Sequence, residues 1–294
     1  MGTQQKLAPI ICALAEIRFI PLEAIDADKS IVASIQDALR KIGFPHYLHS
    51  KSLQIQESMT PGADGVLDLR IMPIELERYD FYDIERQWLI TLDKGRLSVM
   101  TTGYTRWEDF SPRYSAIIEA VMPALDASAL YIQRTGYRSI DLICPLPGEN
   151  VEDILSGKII GGVLDDIDVA GVDRNKARSQ CHIKGEIKVN DTNYDYIIMS
   201  EVMNTNDQPA PSVLPPELIG PPPATPTVSP KQQPRAEGTF ARLSIDMIYN
   251  ADLKPEAFYR YDKDVLIQQI HSLKSTASNF YHHLIDRKKH DSWT

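Results

Sequence analysis

The sequence predicts an α+β fold made of two αβ units, with mainly antiparallel sheets and a long C-terminal helix. Two alternating segments, 88–92 and 96–101, flank Asp93-Lys94-Gly95, whose composition is typical of a hairpin turn. Near the C-terminus, apolar residues recur at the spacing of one helix face. The length of 294 residues exceeds that of most single domains and favours two units.

The first unit is expected at residues 1–145. Strands are predicted near 10–20, 53–57 and 74–83, the last as an edge strand, and a helix is predicted over 30–42. That helix would be ended by Gly43, since glycine adopts the left-handed conformation that often follows a helix. Its apolar face comprises Ile31, Ile35, Leu39 and Ile42.

A helix and a strand follow the hairpin. Thr105 and Glu108 have the spacing of a capping box, which predicts a short turn at 106–110. Pro112 then predicts a helix start, because proline is tolerated at the first helical position. A strand containing residues 134–141 closes the unit. The side chains that we expect to be buried are Tyr114, Ile117, Ile118, Val121 and Leu125.

The second unit is expected at residues 146–294. Strands are predicted at 159–169, 179–189, 194–204 and 241–250, followed by a helix from about 262 to 289. Ten of the chain's twenty prolines lie at 208–234. Proline removes backbone donors and favours extended chain, so this segment is predicted to be a disordered insertion between two strands of one sheet.

The last helix is the best candidate for a partner surface. Its seam predicts either packing on the sheet or a dimer contact. Tyr281 and Trp293 are predicted as exposed aromatic anchors beside it, since aromatic residues dominate interface energies. The seam residues are Leu266, Ile270, Leu273, Ala277, Phe280 and Leu284.

Composition limits the possible functions. The formal net charge of −9 argues against a dedicated duplex-binding surface, which needs a basic stripe. The three cysteines are widely spaced, so neither a disulfide framework nor a zinc site is predicted. No apolar run is long enough for a membrane span, and we expect a cytoplasmic protein without cofactor or metal.

Two weak patterns could support catalysis. Asp166 and Asp168 alternate along a predicted strand and could hold a divalent metal, as in nucleotidyltransferases. Glu186 and Lys188 resemble the Glu-x-Lys part of metal-dependent nucleases, in which the lysine lies beside the activated water. For both, a solvated strand face is the simpler interpretation.

A second group of candidates consists of arginines, several of which lie beside aromatic residues. Arginine stacked on an aromatic ring can bind phosphates or single-stranded bases. The alternative is that these arginines form ion pairs with nearby carboxylates, such as Glu16, Glu108 or Asp141. The candidate binding residues are Arg18, Arg78, Trp107, Arg134 and Arg138, with Arg106 a further arginine of this kind.

The chain also resembles a sporadically distributed, uncharacterised prokaryotic protein family. The motifs that carry the resemblance are Ala15-Glu16-Ile17-Arg18-Phe19, Arg78-Tyr79-Asp80-Phe81 leading into Trp88, Tyr104-x-x-Trp107-x-x-Phe110, Arg134-x-Gly136-x-Arg138-x-Ile140-Asp141, Leu164-Asp165-x-Ile167-Asp168, and Ile270-His271 with Phe280. The likeness covers nearly the whole chain apart from the proline-rich segment. It implies no established activity and no established catalytic residues.

These observations favour a non-catalytic interaction or accessory protein that acts through a protein partner or as a homo-oligomer. The patchy distribution of the resembled family implies a mobile defence or toxin–antitoxin-like module. Two alternatives remain: a metal-dependent nucleic-acid enzyme and a nucleic-acid or nucleotide sensor.

Overall fold

The computed structural model describes residues 10–61, 67–126, 130–145, 150–155, 179–189, 192–204, 214–215, 218, 226–228, 239–250 and 258–285. Its N-terminal half contains strands β1 (Ile10–Phe19), β2 (His46–Pro61), β3 (Leu67–Tyr82), β4 (Trp88–Asp93), β5 (Arg96–Thr101) and β6 (Tyr131–Ile143), and helices α1 (Ala24–Ala27), α2 (Lys29–Lys41) and α3 (Trp107–Val121). Its C-terminal half contains α4 (Val151–Ile154), β7 (Ser179–Val189), β8 (Thr192–Asn204), β9 (Thr239–Asn250), β10 (Tyr259–Arg260) and α5 (Lys263–Leu284).

The strands form one antiparallel sheet in the order β2-β3-β4-β5-β1-β6-β9-β8-β7, and β10 pairs with β6. The predicted α+β class, the antiparallel pairing and the C-terminal helix are confirmed. Strands from both predicted units meet where β6 pairs with β9, so they share this sheet. The division at residues 145 and 146 stays a prediction, and the predicted strand at 159–169 lies outside the described residues.

The helices cover one face of the sheet and form the main core with it. On α5, Leu266, Ile270 and Leu273 are fully buried, and the helix packs against β6 and β9. Asp262 caps α5, because its carboxylate accepts hydrogen bonds from the backbone N–H groups of Asp264 and Val265. The apolar seam of α5 therefore faces its own sheet. None of the described helices is long and apolar enough to cross a membrane.

Helix α3 differs from its prediction. It begins at Trp107 and continues through Pro112, and Thr105 donates to the Asp109 carboxylate instead of forming a capping box with Glu108. Proline removes one helical hydrogen bond. Phe110 and Tyr114, on either side of Pro112, are almost completely buried, and this burial favours one continuous helix. The five predicted core residues of this region are buried.

The edge of the sheet also differs from its prediction. Strand β2 lies at the edge, and β3 pairs with β2 along its length and with β4 at residues 79–82, so this part of the predicted edge strand is internal. His46 and His49 lie on β2. The His49 ring stacks on Tyr79 at 4.8 Å and forms a hydrogen bond with Glu77. Helix α2 ends as predicted at Gly43, which has a φ of 95°.

The proline-rich segment connects two neighbouring strands. Asn204 at the end of β8 is opposite Thr239 at the start of β9, so the strands that flank the segment pair directly, as predicted. Most of 208–234 lies outside the described residues. Leu214 and Pro226 are buried, and the Thr102 hydroxyl donates to the Thr227 carbonyl at 2.6 Å. These positions therefore contact the rest of the protein, and the predicted disorder of 208–234 stays a prediction.

Candidate functional site

The face of the sheet opposite the helices carries the candidate site, and we call it the open face. Successive side chains of a strand point to opposite faces. Four predicted binding residues therefore reach the open face together: Arg18, Arg78, Arg134 and Arg138. A second apolar cluster covers the far part of this face, where β-strand residues contact Leu214, Leu218 and Val228 of the proline-rich segment.

Strand register places Arg18, Arg78 and Arg134 in one row with a further arginine, Arg96. Arg18 on β1 is opposite Arg96 on β5 and opposite Arg134 on β6. Asp93 on β4 is opposite Arg96. Tyr79 on β3 is opposite Leu92, so the residue before it, Arg78, lies beside Asp93 and extends the same row. We call this set the arginine row: Arg78, Arg96, Arg18 and Arg134, with Asp93 between the first two.

Two further rows lie beside it on the open face. The polar row consists of Asp80, Thr91, Ser98, Glu16 and Gly136, which are cross-strand partners in that order. The apolar row consists of Tyr82, Leu89, Met100 and Leu14. It continues into Arg138, which is opposite Leu14, and into Asp246, which is opposite Arg138.

The three rows enclose a pocket of about 240 Å³. Gly136 leaves space in its wall, because a Cβ there would contact only the Met247 carbonyl oxygen, at 3.8 Å. Leu218 of the proline-rich segment contributes to one side. The described lining residues are Leu14, Glu16, Arg18, Arg78, Leu89, Thr91, Arg96, Ser98, Met100, Arg134, Gly136, Tyr137, Arg138, Leu218, Asp246, Met247 and Ile248.

Carboxylates hold the guanidinium groups in place. The Nε atoms of Arg18 and Arg96 lie 2.9 Å from Glu16 and 3.0 Å from Asp93, respectively. Arg138 donates to both oxygens of Asp246 at 2.6 Å. A guanidinium has five N–H donors, so each of these contacts occupies only part of its capacity.

The pair between Arg78 and Asp80 is the most buried. Asp80 is fully buried, and it accepts hydrogen bonds from Arg78 Nε at 2.8 Å and from the Thr91 hydroxyl at 2.6 Å.

Burial raises the pKa of Asp246 above its usual range, although the Arg138 guanidinium opposes this shift. Among the described residues around the pocket, ion pairs join Glu16 to Arg18, Asp80 to Arg78, Asp93 to Arg96 and Asp246 to Arg138.

Of the two interpretations of these arginines, stacking on an aromatic neighbour and ion pairing with a carboxylate, the described contacts match ion pairing. Phe19, Tyr79 and Tyr137 follow their arginine or precede it in a strand, so they point to the helices and belong to the main core. Among the described residues, Arg113 and Arg260 do lie over aromatic rings, with guanidinium groups 4.7 Å from the centre of the Trp88 ring and 5.7 Å from the centre of the Tyr131 ring, respectively. Ion pairing, the simpler expectation, describes the open-face arginines better.

Trp107 does not join the arginines. It begins α3 on the helix side of the sheet, where its ring lies 5.3 Å from His271 and 5.6 Å from Phe110. Sequence reasoning missed Arg96, which has no aromatic neighbour. The signal that could have found it is the hairpin register, since this register places Arg96 opposite Asp93.

The two catalytic candidates that the structure describes, Glu186 and Lys188, are absent from the described pocket lining. Asp166 and Asp168 lie outside the described residues. Glu186 and Lys188 are exposed on β7 and alternate with half-buried residues that pack on the main core, which fits a solvated strand face. Within the described part of the chain, no group of three or more His, Cys, Asp or Glu residues could hold a metal ion.

The predicted interface anchors are not supported. Tyr281 is 7% exposed and lies in the main core, so the prediction that it forms an exposed flank is wrong. The physical reason is helical spacing: Tyr281 follows the buried Ala277 by four residues and shares its face. Trp293 lies outside the described residues.

A buried carboxyl group lies on the helix side of the same strands. Asp141 is 1% exposed, and burial raises its pKa to about 7, although a hydrogen bond with Ser139 opposes the shift. Its Oδ2 atom has no hydrogen-bond partner among the described residues. Asp141 therefore does not pair with the open-face arginines.

Comparisons with known proteins assign no family. No protein-family model matches the chain, and no curated protein is significantly similar to it.

Proposed function

We propose that the protein is a non-catalytic accessory protein that binds a small anion in the pocket on the open face. The observation that carries the proposal is the arginine row. Four strands contribute guanidinium groups to one row, and these groups come from positions that are distant in sequence. The resemblance to a sporadically distributed prokaryotic family adds the setting of a mobile defence or toxin–antitoxin-like module.

An anion fits the row because its donors are already oriented. Guanidinium groups bind carboxylates and phosphates with two parallel hydrogen bonds. The contacts of Arg18 with Glu16 and of Arg96 with Asp93 restrict both side chains before a ligand arrives. Less side-chain entropy is then lost on binding, which favours affinity.

The pocket size and lining favour recognition of a small molecule. A volume of about 240 Å³ lies just below the range of about 300–1,000 Å³ that is usual for drug-sized ligands. The described lining contains arginine, carboxylate, hydroxyl and apolar groups, and none of its residues is histidine, cysteine or lysine. The carboxylates Glu16 and Asp246 are engaged by arginines. These groups support binding rather than proton transfer.

Calorimetric titration with inorganic phosphate and pyrophosphate tests the proposal. At low ionic strength we expect saturable binding by the wild type and at least about tenfold weaker binding by Arg18→Gln/Arg134→Gln, since two charge-assisted contacts are lost. Arg106→Gln is the matched control, because Arg106 is exposed on the helix side and forms an ion pair with Asp109. It changes the net charge without touching the pocket.

A second variant blocks the pocket sterically. Gly136→Val places a side chain in the wall, where a Cβ meets no atom closer than 3.8 Å, and valine suits a strand. We expect a folded protein that no longer binds phosphate. Equal phosphate binding by wild type, the arginine double variant and Gly136→Val would contradict the proposal, as would the absence of binding by the wild type.

A further inference from the structure

The order of the three rows carries information about the shape of the ligand. Residues two apart in a strand point to the same face, so adjacent rows are separated by about 7 Å, and the arginine and apolar rows by about 13 Å. A ligand that contacts all three rows has an anionic end, a middle that forms hydrogen bonds and an apolar end, in that order.

The middle of the ligand faces hydrogen-bonding groups. Glu16 presents a carboxylate, and Ser98 presents a hydroxyl group that can donate and accept. Carboxylates of this kind accept hydrogen bonds from sugar hydroxyls. Gly136 continues the polar row from Glu16 and adds no side chain, which leaves room for a ring.

The apolar end faces residues that suit a flat aromatic ring. Met100 and Leu14 are cross-strand partners in the apolar row, and Leu218 of the proline-rich segment lines the same pocket. Methionine sulfur forms favourable contacts with aromatic rings.

Other anions match these rows less well. A sugar phosphate would leave the half-buried Leu14, at the pocket end of the apolar row, without a ligand contact. A fatty acid would place methylene groups against Glu16 and Ser98, and polar groups that lose water without gaining a hydrogen bond are costly. A single-stranded nucleic acid would need exposed aromatic platforms, whereas Tyr137, the aromatic residue in the described lining, is buried.

We infer that the pocket binds a nucleoside monophosphate, with its phosphate on the arginine row, its ribose on the polar row and its base on the apolar row. This inference rests on the proposed function and specifies its ligand class. It also gives the proline-rich segment a role, since Leu218 would contact the base.

The inference is tested by titrating fragments of the ligand into the wild type and into variants of the pocket. The probes are inorganic phosphate, ribose 5-phosphate, adenosine and adenosine monophosphate, each titrated calorimetrically into the full chain. We expect the monophosphate to bind at least about tenfold more tightly than either ribose 5-phosphate or adenosine. Arg134→Gln should weaken every phosphate-bearing probe, and Arg106→Gln should weaken none.

The apolar row has its own variants. Leu14→Ala should weaken the monophosphate and leave ribose 5-phosphate unchanged. Leu218→Ala should act in the same way. Because Leu218 lies outside the sheet, this variant tests the apolar row even if Leu14→Ala fails to fold. Phosphate, ribose 5-phosphate and the monophosphate could all bind with equal affinity in a way that depends on Arg134. This result would overturn the ligand class, and the proposed anion-binding function would still hold. No binding of any phosphate-bearing probe, or binding that Arg134→Gln does not affect, would overturn both.

Discussion

The two faces of the central strands are built from neighbouring residues but differ in what they bury. Ile17 and Leu97 point to the helices and are at most 1% exposed. Their chain neighbours Arg18 and Arg96 point to the open face, where their side chains are 45% and 25% exposed. Because side chains alternate along a strand, successive residues belong in turn to the buried scaffold and to the candidate site.

The difference has an energetic consequence. Each large apolar side chain buried under the helices contributes about 1.5–3 kcal/mol to stability. Exposed ion pairs on the open face contribute about 0–1 kcal/mol, unless one partner is buried. Substitutions on the helix face should therefore affect folding, and most of those on the open face should affect binding.

The largest effect is expected at the centre of the helix face. Leu273→Asp removes a fully buried leucine and introduces a carboxylate without a partner, so we expect a loss of about 5 kcal/mol or more in the free energy of unfolding. Gln268→Asp is the control, since Gln268 is exposed on the same helix. Urea denaturation followed by circular dichroism measures both. A folded, smaller species from Leu273→Asp would instead indicate a dimer seam.

Arg78 is the exception on the open face. Arg78→Gln leaves the fully buried carboxylate of Asp80 without its cationic partner, and we expect a loss of about 3–5 kcal/mol in stability. The double variant Arg78→Gln/Asp80→Asn should recover much of it, because no charge is then buried. Denaturant midpoints of the two single variants and the double variant give the coupling energy. Additive effects would show that the pair does not act as a unit.

Asp141 makes the helix face sensitive to pH. Its folded-state pKa of about 7 lies above the ordinary value of 3.8, so its stabilising contribution is complete below about pH 4 and is lost as the pH rises through 7. Asp141→Asn should gain stability relative to the wild type, by about 2 kcal/mol more at pH 8 than at pH 5.

Thermal and urea unfolding at the two pH values measure this difference. Asp37→Asn, an exposed change on α2, should leave the pH dependence unchanged. A constant gap between wild type and Asp141→Asn across this range would show that Asp141 does not titrate as its burial indicates.

Local signals made much of the scaffold predictable. The turn residues Asp93-Lys94-Gly95 predicted a hairpin that the structure confirms, and Gly43 ends α2 at the predicted position. The spacing of Leu266, Ile270 and Leu273 predicted their burial against the sheet. The same spacing extends to Tyr281 and could have predicted that it is buried.

The candidate site was less predictable because it depends on pairing between distant strands. Arg18 has an aromatic neighbour, Phe19, and Arg134 has none, but the two arginines lie side by side because β1 pairs with β6 in one particular register. A shift of one residue in this pairing would place the two arginines on opposite faces of the sheet. Arg96 enters the same row through the pairing of β1 with β5, which has no local signal.

The smallest effect on stability is expected at Arg18. This residue also gives the most direct test of the difference between the helix face and the open face. Its side chain is 45% exposed and forms an ion pair with the half-buried Glu16, so Arg18→Gln should change the free energy of unfolding by less than about 1 kcal/mol. Phosphate binding should nevertheless weaken markedly, since a charge-assisted contact is lost. Denaturation and calorimetry on the same sample separate the two effects. If Arg18→Gln lost stability like Arg78→Gln and kept wild-type binding, the open face would belong to the scaffold, because its arginines would then serve folding rather than recognition.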